Sequence, residues 1–406
     1  MTLFPQGFSQ RQANNAGAVK FLGAGACSAL GADVANCLAQ LRSPPAAATA
    51  IPVTLAGETL AIPYKPLVTP GKAEATAHTA PPERIFTLCQ QVANQAIAEA
   101  GLTAEQRCRM GLFLGSSSFD IAISEAQYRT ELAAGQAAVA MREPSFGRLA
   151  DQLRQQMGLT GPDFSFNTAC TASANALIAA IAQVQAGLLE HALVMGVELY
   201  NDITALGFHG LGLLTQSVMR PFDPARDGLV LGEGVAALVV GRSKRPGGFY
   251  LRGSASLCDT YGISSAAPDG STIALVMQQA LADAGLSARQ ISAIKAHGTA
   301  SLSNDEAEAA GMHQLFAQLP PVAAIKPHLG HTLGACGLLE LVLFYRALEA
   351  GFLIATPAIS EQPGDLNITL NQVNQAMAAG HFMLNFFGFG GNNCSLVISN
   401  DGGVAA

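Results

Sequence analysis

Short apolar runs alternate with helical stretches along the whole chain, and that alternation predicts an α/β fold. VKFLGAGA (19–26) reads as a strand and tight turn, followed by a helix from about Ala32 to Leu41. GLFLGSSS (111–118) reads as a strand ending in a glycine–serine turn. After NTACTASAN, Ala172, Ala174, Ala176, Leu177, Ile178 and Ile181 are apolar on nearly every helical face, so that helix is buried. It leads into HALVMGVE (191–198), a buried strand, and GEGVAALVVGRS (232–243) supplies another.

The second part of the chain echoes the first. FYLRGSASL (249–257) is again strand and turn, a helix over 271–285 follows, and ISAIKAHGTAS (291–301) opens as a strand. KPHLGHTLGACG (326–337) enters an apolar helix over 336–350, much as NTACTASAN enters its own. FMLNFFGFGGNNCSLVIS (382–399) predicts paired strands around a glycine turn. The echo predicts an internal duplication without a strict period, with halves over 1–245 and 246–406. The segment 56–82, rich in Pro, Ala and Thr, reads as an irregular excursion, and 119–160 as a mostly helical insertion.

Composition narrows the classes. Of 406 residues, 50% are hydrophobic and 13% charged, which supports an extensive core and excludes wholesale disorder. The net charge is −7 and no Lys/Arg cluster stands out, so no nucleic-acid partner is expected. The start, MTLFPQGFSQRQANN, lacks the basic and apolar regions of a secretory signal. The longest apolar run, CGLLELVLFYRALEAGFLIA from Cys336, is broken by Glu340, Arg346 and Glu349, so no membrane span is expected. Eight cysteines without a CxxC pair suit reduced thiols in the cytoplasm, not a disulfide framework or a metal site.

The chemistry centres on Cys170, at the mouth of the first buried helix. On that segment alone, a small buried hydrophobe is the ordinary explanation. The alternative is a nucleophile, because a helix N-terminus presents unpaired N–H groups and can lower a thiol pKa. His297 and His331 lie on glycine turns at the ends of elements, where side chains are held by a rigid scaffold. Nearby Lys326 and Glu308 would most simply form an ion pair. The turn NFFGFGGNN (385–393) lacks the Lys-Ser/Thr of a phosphate-binding loop, so its N–H groups suit a developing oxyanion better. LGAGACSALG is a partial dinucleotide-binding fingerprint without its acidic partner, and is read as a turn.

Five motifs occur in order: TACTAS around Cys170, RPFDPARDGLVLGEG (220–234), HGTASLSNDEAE (297–308), KPHLGHTLGACG (326–337) and FGFGGNN (387–393). Together they resemble the β-ketoacyl-acyl-carrier-protein synthases of the thiolase-fold superfamily, over positions 19–399. The resemblance implies a five-layered αβαβα fold of two duplicated halves. It implies Cys170 as acyl-accepting nucleophile, with His297 and His331 assisting decarboxylation of a malonyl thioester and stabilising the enolate. It implies Lys326 and Glu308 as the residues that order the site. Phe389 would gate the acyl tunnel, and its N–H, beside Gly388, would join that of Cys170 in an oxyanion hole. No cofactor is implied, since phosphopantetheine arrives on the acyl carrier protein. The implied assembly is a homodimer or a heterodimer with a synthase-like subunit.

Departures from the family pattern are Ala300, Ser301, Asn392, Phe386 and Gly262, and they suggest polyketide-like or polyene assembly. Two rival readings remain. One is a non-catalytic chain-length-factor-like partner, which usually lacks the nucleophile. The other is a CoA-dependent thiolase, which would need a second cysteine such as Cys336 or Cys394. Lys65 and Lys72 are read as solvated lysines, with docking of an acidic carrier as the alternative.

Overall fold

A computed structural model describes residues 18–400 apart from 56, 69–82, 136–146, 245–246, 357–359, 361–363 and 378. The apolar runs form a ten-stranded sheet among these residues. Its strands are β1 (Val19–Ser28), β2 (Gly111–Gly115), β3 (Asp163–Phe166), β4 (His191–Glu198) and β5 (Gly234–Arg242), then β6 (Tyr250–Cys258), β7 (Ile291–Lys295), β8 (Val322–Ala323), β9 (Gly380–Gly388) and β10 (Asn392–Asn400). The spatial order is β8-β7-β9-β10-β6-β1-β5-β4-β2-β3. Reading outward from the centre, β1-β5-β4-β2-β3 and β6-β10-β9-β7-β8 repeat the same senses: two antiparallel pairings, then two parallel ones. The two five-stranded halves join through the pair Lys20–Tyr250.

Five layers follow. Helix α1 (Arg84–Ala100) covers the outer face of the first half, while α3 (Ser271–Ala284) and α4 (Leu302–Leu315) cover the second. Between the halves lie α2 (Ala172–Gln185) and α5 (Cys336–Glu349), two helices with apolar residues on nearly every face. Strand faces alternate accordingly: on β4, Ala192 and Val194 join the central core, whereas Leu193, Met195 and Val197 join the outer one under α1. This is the duplicated αβαβα arrangement that the motifs imply.

Two glycines set how closely the layers meet. A Cβ on Gly25 would lie 2.1 Å from the Val92 carbonyl oxygen of α1, so the GAG segment serves helix-on-strand contact. It is not a turn, because β1 runs on to Ser28. A Cβ on Gly337 would lie 2.5 Å from the Ala174 backbone N, which lets α5 cross α2 closely.

Elsewhere the structure corrects the sequence reading. The first part of the expected excursion, Glu58–Lys65, is a strand paired in a hairpin with Thr49–Leu55, and 69–82, with Lys72, lies outside the described residues. Lys65 is not a solvated lysine: it is 6% exposed and its ammonium donates to the Ala46 carbonyl. Buried there, it offers no docking charge. The insertion contains the helices Ile121–Ala133 and Arg148–Gln156. No helix of the described residues is long and apolar enough to cross a membrane.

Candidate active site

The two central helices start in matching ways. Each follows a one-turn 3-10 segment, Ala169–Thr171 before α2 and Leu333–Ala335 before α5. Ala169 and Leu333 open these turns at φ +50° and +41°, a conformation that L-residues adopt only when the surroundings enforce it. The enforcement is visible. The buried Glu198 carboxylate at the end of β4 accepts from the backbone N–H and hydroxyl groups of Ser117 and Ser118, and from the Gly334 N–H. One carboxylate thus ties the β2 turn to the entry of α5.

These turns bring the sequence-predicted residues together. Cys170 Sγ lies 3.1 Å from His331 Nε2, and His297 presents its ring edge-on to His331 at 5.4 Å between centroids. Ligand atoms of Cys170, His297 and His331 all fall within 4.8 Å of one another. The His331 N–H donates to the Val230 carbonyl at 2.7 Å, which anchors the turn. The N–H groups of Phe389 and of Cys170 itself point at the Cys170 sulfur, and Gly388 lets that loop approach, since a Cβ there would lie 3.0 Å from Cys170 N. The Phe389 ring stacks on Phe208 with centroids 5.6 Å apart. A pocket open to solvent reaches this point, lined by Cys170, His297, His331, Phe208 and Phe389.

Charge is supplied from behind. Lys326 Nζ donates to the His297 carbonyl at 2.8 Å and sits 3.2 Å from His297 Nδ1, which makes Nδ1 the acceptor and puts the ring proton on Nε2. Lys326 does not pair with Glu308, as the sequence reading expects. Its carboxylate is Glu340 on α5, at 2.8 Å, and Glu340 also holds Lys295 at 2.6 Å; all three side chains are 0% exposed. Glu308 instead accepts the N–H groups of His297 and Gly298 at 2.7 and 2.9 Å, and so holds the histidine's backbone. Two buried backbone donors give the carboxylate hydrogen-bond partners without a lysine.

Burial dominates the protonation states. It pushes the Cys170 thiol up to about 12, outweighing the Lys326 charge and the two N–H groups, so the lowered pKa expected at a helix start does not hold for the resting thiol. Burial, reinforced by Lys326, holds His297 and His331 well below the ordinary imidazole range. Burial opposes the charge of Lys326 as well, yet Glu340 keeps it above the usual lysine value. Burial raises Glu308 to about 7 against the pull of its two N–H donors. The resting site therefore holds a thiol, two neutral imidazoles and an ammonium.

The Cys170–His297–His331 trio has the donor types of a soft-metal site. The Lys326 ammonium, 3.2 Å from His297 Nδ1, opposes a cation there. Cys336 and Cys394 are fully buried outside the pocket, and Cys336 Sγ donates to the Cys170 carbonyl at 3.1 Å, so neither supplies a thiolase's second cysteine.

The departures have local accounts. Ala300 sits at φ +62°, where glycine is favoured, and its carbonyl accepts the Gly228 N–H. Ser301 shares a hydroxyl hydrogen bond with Thr299, and Asn392 closes the Phe389 turn by donating to its carbonyl at 3.0 Å. Phe386 lies under the Lys295 ammonium, 3.7 Å from ring centre to nitrogen. A Cβ on Gly262 would lie 2.6 Å from Ser265 Oγ and 3.2 Å from its carbonyl oxygen, so the turn that folds over it favours glycine. The sequence reading missed Glu340, Lys295 and Glu198; the signal available for Glu340 was a carboxylate inside an apolar helix.

Comparison with known proteins agrees with this geometry. The family models for the β-ketoacyl synthase N-terminal and C-terminal domains match residues 73–245 and 249–360. The 3-oxoacyl-[acyl-carrier-protein] synthase 2 of Vibrio cholerae is 28% identical over 334 residues, covering 75% of this chain and 79% of its own. A β-ketoacyl synthase from Burkholderia phymatum superposes with TM-score 0.79 at 27% identity, over 95% of this chain and 99% of its own. The ishigamide ketosynthase/chain length factor gives TM-score 0.78 at 26% identity, over 95% and 99%. Two domain models in the right order, on a fold whose central helices deliver a cysteine to two histidines, make the chain a member of the β-ketoacyl synthase family, a condensing acyltransferase of fatty-acid or polyketide synthesis.

Proposed function

We propose that the chain extends an acyl group held on Cys170 by decarboxylative Claisen condensation with a malonyl thioester, both groups arriving on an acyl carrier protein. The observation that carries this is the contact of Cys170 Sγ with His331 Nε2 at 3.1 Å, beside a second neutral histidine. In the first step, Cys170 attacks the acyl thioester, its proton passes to His331, and the carrier leaves as a thiol with that proton. The N–H groups of Cys170 and Phe389 receive the oxyanion. In the second step, malonyl loses CO₂, and the electron pair left behind forms an enolate whose oxygen faces the Nε2–H of His297. His331 donates beside it once its own ring proton has moved from Nδ1 to Nε2, the atom that took and released the Cys170 proton. The enolate carbon attacks the acyl–Cys170 carbonyl, the carbon–sulfur bond breaks, and the Cys170 thiolate takes up a proton. Lys326 supports the enolate by holding the His297 proton on Nε2.

Phosphopantetheine arrives with the carrier, and the steps above call on no cofactor of the chain's own. The likeness to a ketosynthase/chain length factor supports a second synthase-like chain as subunit partner. Cys170 favours the catalytic role over that of the non-catalytic partner. On this reading Phe389, stacked on Phe208, gates the acyl tunnel.

Two results test the roles. His297→Ala should slow CO₂ release from malonyl-carrier-protein about 100-fold, the effect of removing one oxyanion donor, while acyl loading falls far less. Equal losses in both steps would make His297 a structural residue. Because both imidazoles are held below their usual range, they stay neutral as the pH falls through the ordinary histidine pKa of about 6.5. Rapid-quench loading should therefore show no acid limb there; a limb near that pH would contradict the buried neutral pair.

A further inference from the structure

Among the described residues, Lys295 is a buried cation beside the site that the mechanism above does not use. It ends β7, two residues before His297, and its ammonium lies 2.6 Å from Glu340 Oε2, 2.8 Å from the Asn385 carbonyl and 3.7 Å from the centre of the Phe386 ring. Glu340 is therefore shared by two ammonium groups, neither of them exposed. One carboxylate balances one charge. With Lys295 protonated, the trio carries a net positive charge in a dry interior, where Coulomb interactions are strong.

We propose that Lys295 is a positioning residue: by sharing Glu340 it leaves Lys326 only partly compensated, so that net positive charge faces His297 and the reacting thioester. This rests on the roles of His297 and Lys326 given above. Other packed elements bear on the same charge. From α5, Cys336 and Glu340 favour it and, from the helical turn Lys326–Leu329 after β8, Lys326 opposes it. From α4, Glu308 feels it, as do Cys394 on β10 and the His297–His331 pair. Burial holds Lys295 below the ordinary lysine value, at about 8, although Glu340 pulls it back up. The charge is thus present below that pH and lost above it.

The test measures CO₂ release from a malonyl-pantetheine thioester across neutral and alkaline pH, so that a carrier's own titration does not enter. The native enzyme should lose rate as the pH rises through about 8. Lys295→Met should be about tenfold slower at neutral pH, equivalent to about one unit of pKa coupling, and should show no such fall. Lys295→Arg, charged throughout, should keep most of the native rate and also lose the fall. A native rate in Lys295→Met, or a fall near that pH in either variant, overturns the proposal. If circular dichroism shows Lys295→Met unfolded, the Lys295→Arg profile decides alone. His297→Ala, run alongside, separates the two readings: unchanged CO₂ release there overturns the His297 role, whatever Lys295 does.

Discussion

Cys170→Ala should abolish acyl loading and leave the fold intact. The side chain is 6% exposed and supplies one sulfur atom to a pocket, so its truncation leaves a space open to solvent, not a sealed core cavity. The cost to stability should be about 1 kcal/mol, the scale of one lost buried group. Neither nearby buried thiol can take over the acyl group: Cys336 and Cys394 are fully buried, and burial pushes both thiols up, Cys394 to about 12, while the exposed Cys258 and half-exposed Cys108 do not line the pocket. Loading followed by intact mass, with circular dichroism as the control for folding, checks the prediction. Loading that persists in a folded Cys170→Ala protein would remove the nucleophile assignment.

Glu340→Gln should have the largest effect on stability. The carboxylate is the only acid within salt-bridge distance of Lys295 and Lys326 among the described residues, and all three side chains are sealed from solvent. An amide of the same shape keeps the packing and removes the charge. Two ammonium groups then share a dry site with no counter-ion, and breaking a buried pair in this way costs about 3–5 kcal/mol. A urea midpoint shift of that size is the expected result. Adding Lys295→Met to Glu340→Gln should recover part of the loss, since it removes one stranded charge. A loss below about 1 kcal/mol for Glu340→Gln would mean that water or a neighbouring group already neutralises the pair.

Much of this molecule was legible from hydrophobic period alone. The buried strands at 191–198 and 232–243 and the helices entered from NTACTASAN and KPHLGHTLGACG stand where the apolar runs predict them, because both faces of each are covered. Cys170, His297 and His331 were visible because each lies at the end of an element beside small residues. The ion pairing was not. Glu308 and Glu340 are both close enough in sequence to be plausible partners of Lys326, and only the tertiary placement of α5 in the central layer brings Glu340 to it. Glu340 was in view as an interruption of an apolar run, a signal that a buried charge needs a partner. The thiol's pKa was misread for a related reason: a helix start predicts stabilised thiolate, but depth of burial, which no local pattern reports, outweighs it. The hairpin at 49–65 was missed because its prolines and threonines match loop chemistry as well as an edge strand.

The most direct test of the central claim is intact-protein mass spectrometry of the native enzyme. It is mixed first with acyl-carrier-proteins of different chain lengths and then with malonyl-carrier-protein. An acyl adduct that maps to Cys170, and that disappears as a ketoacyl product two carbons longer forms, is the result this account predicts. An adduct on another residue, or none with any acyl donor, would contradict it.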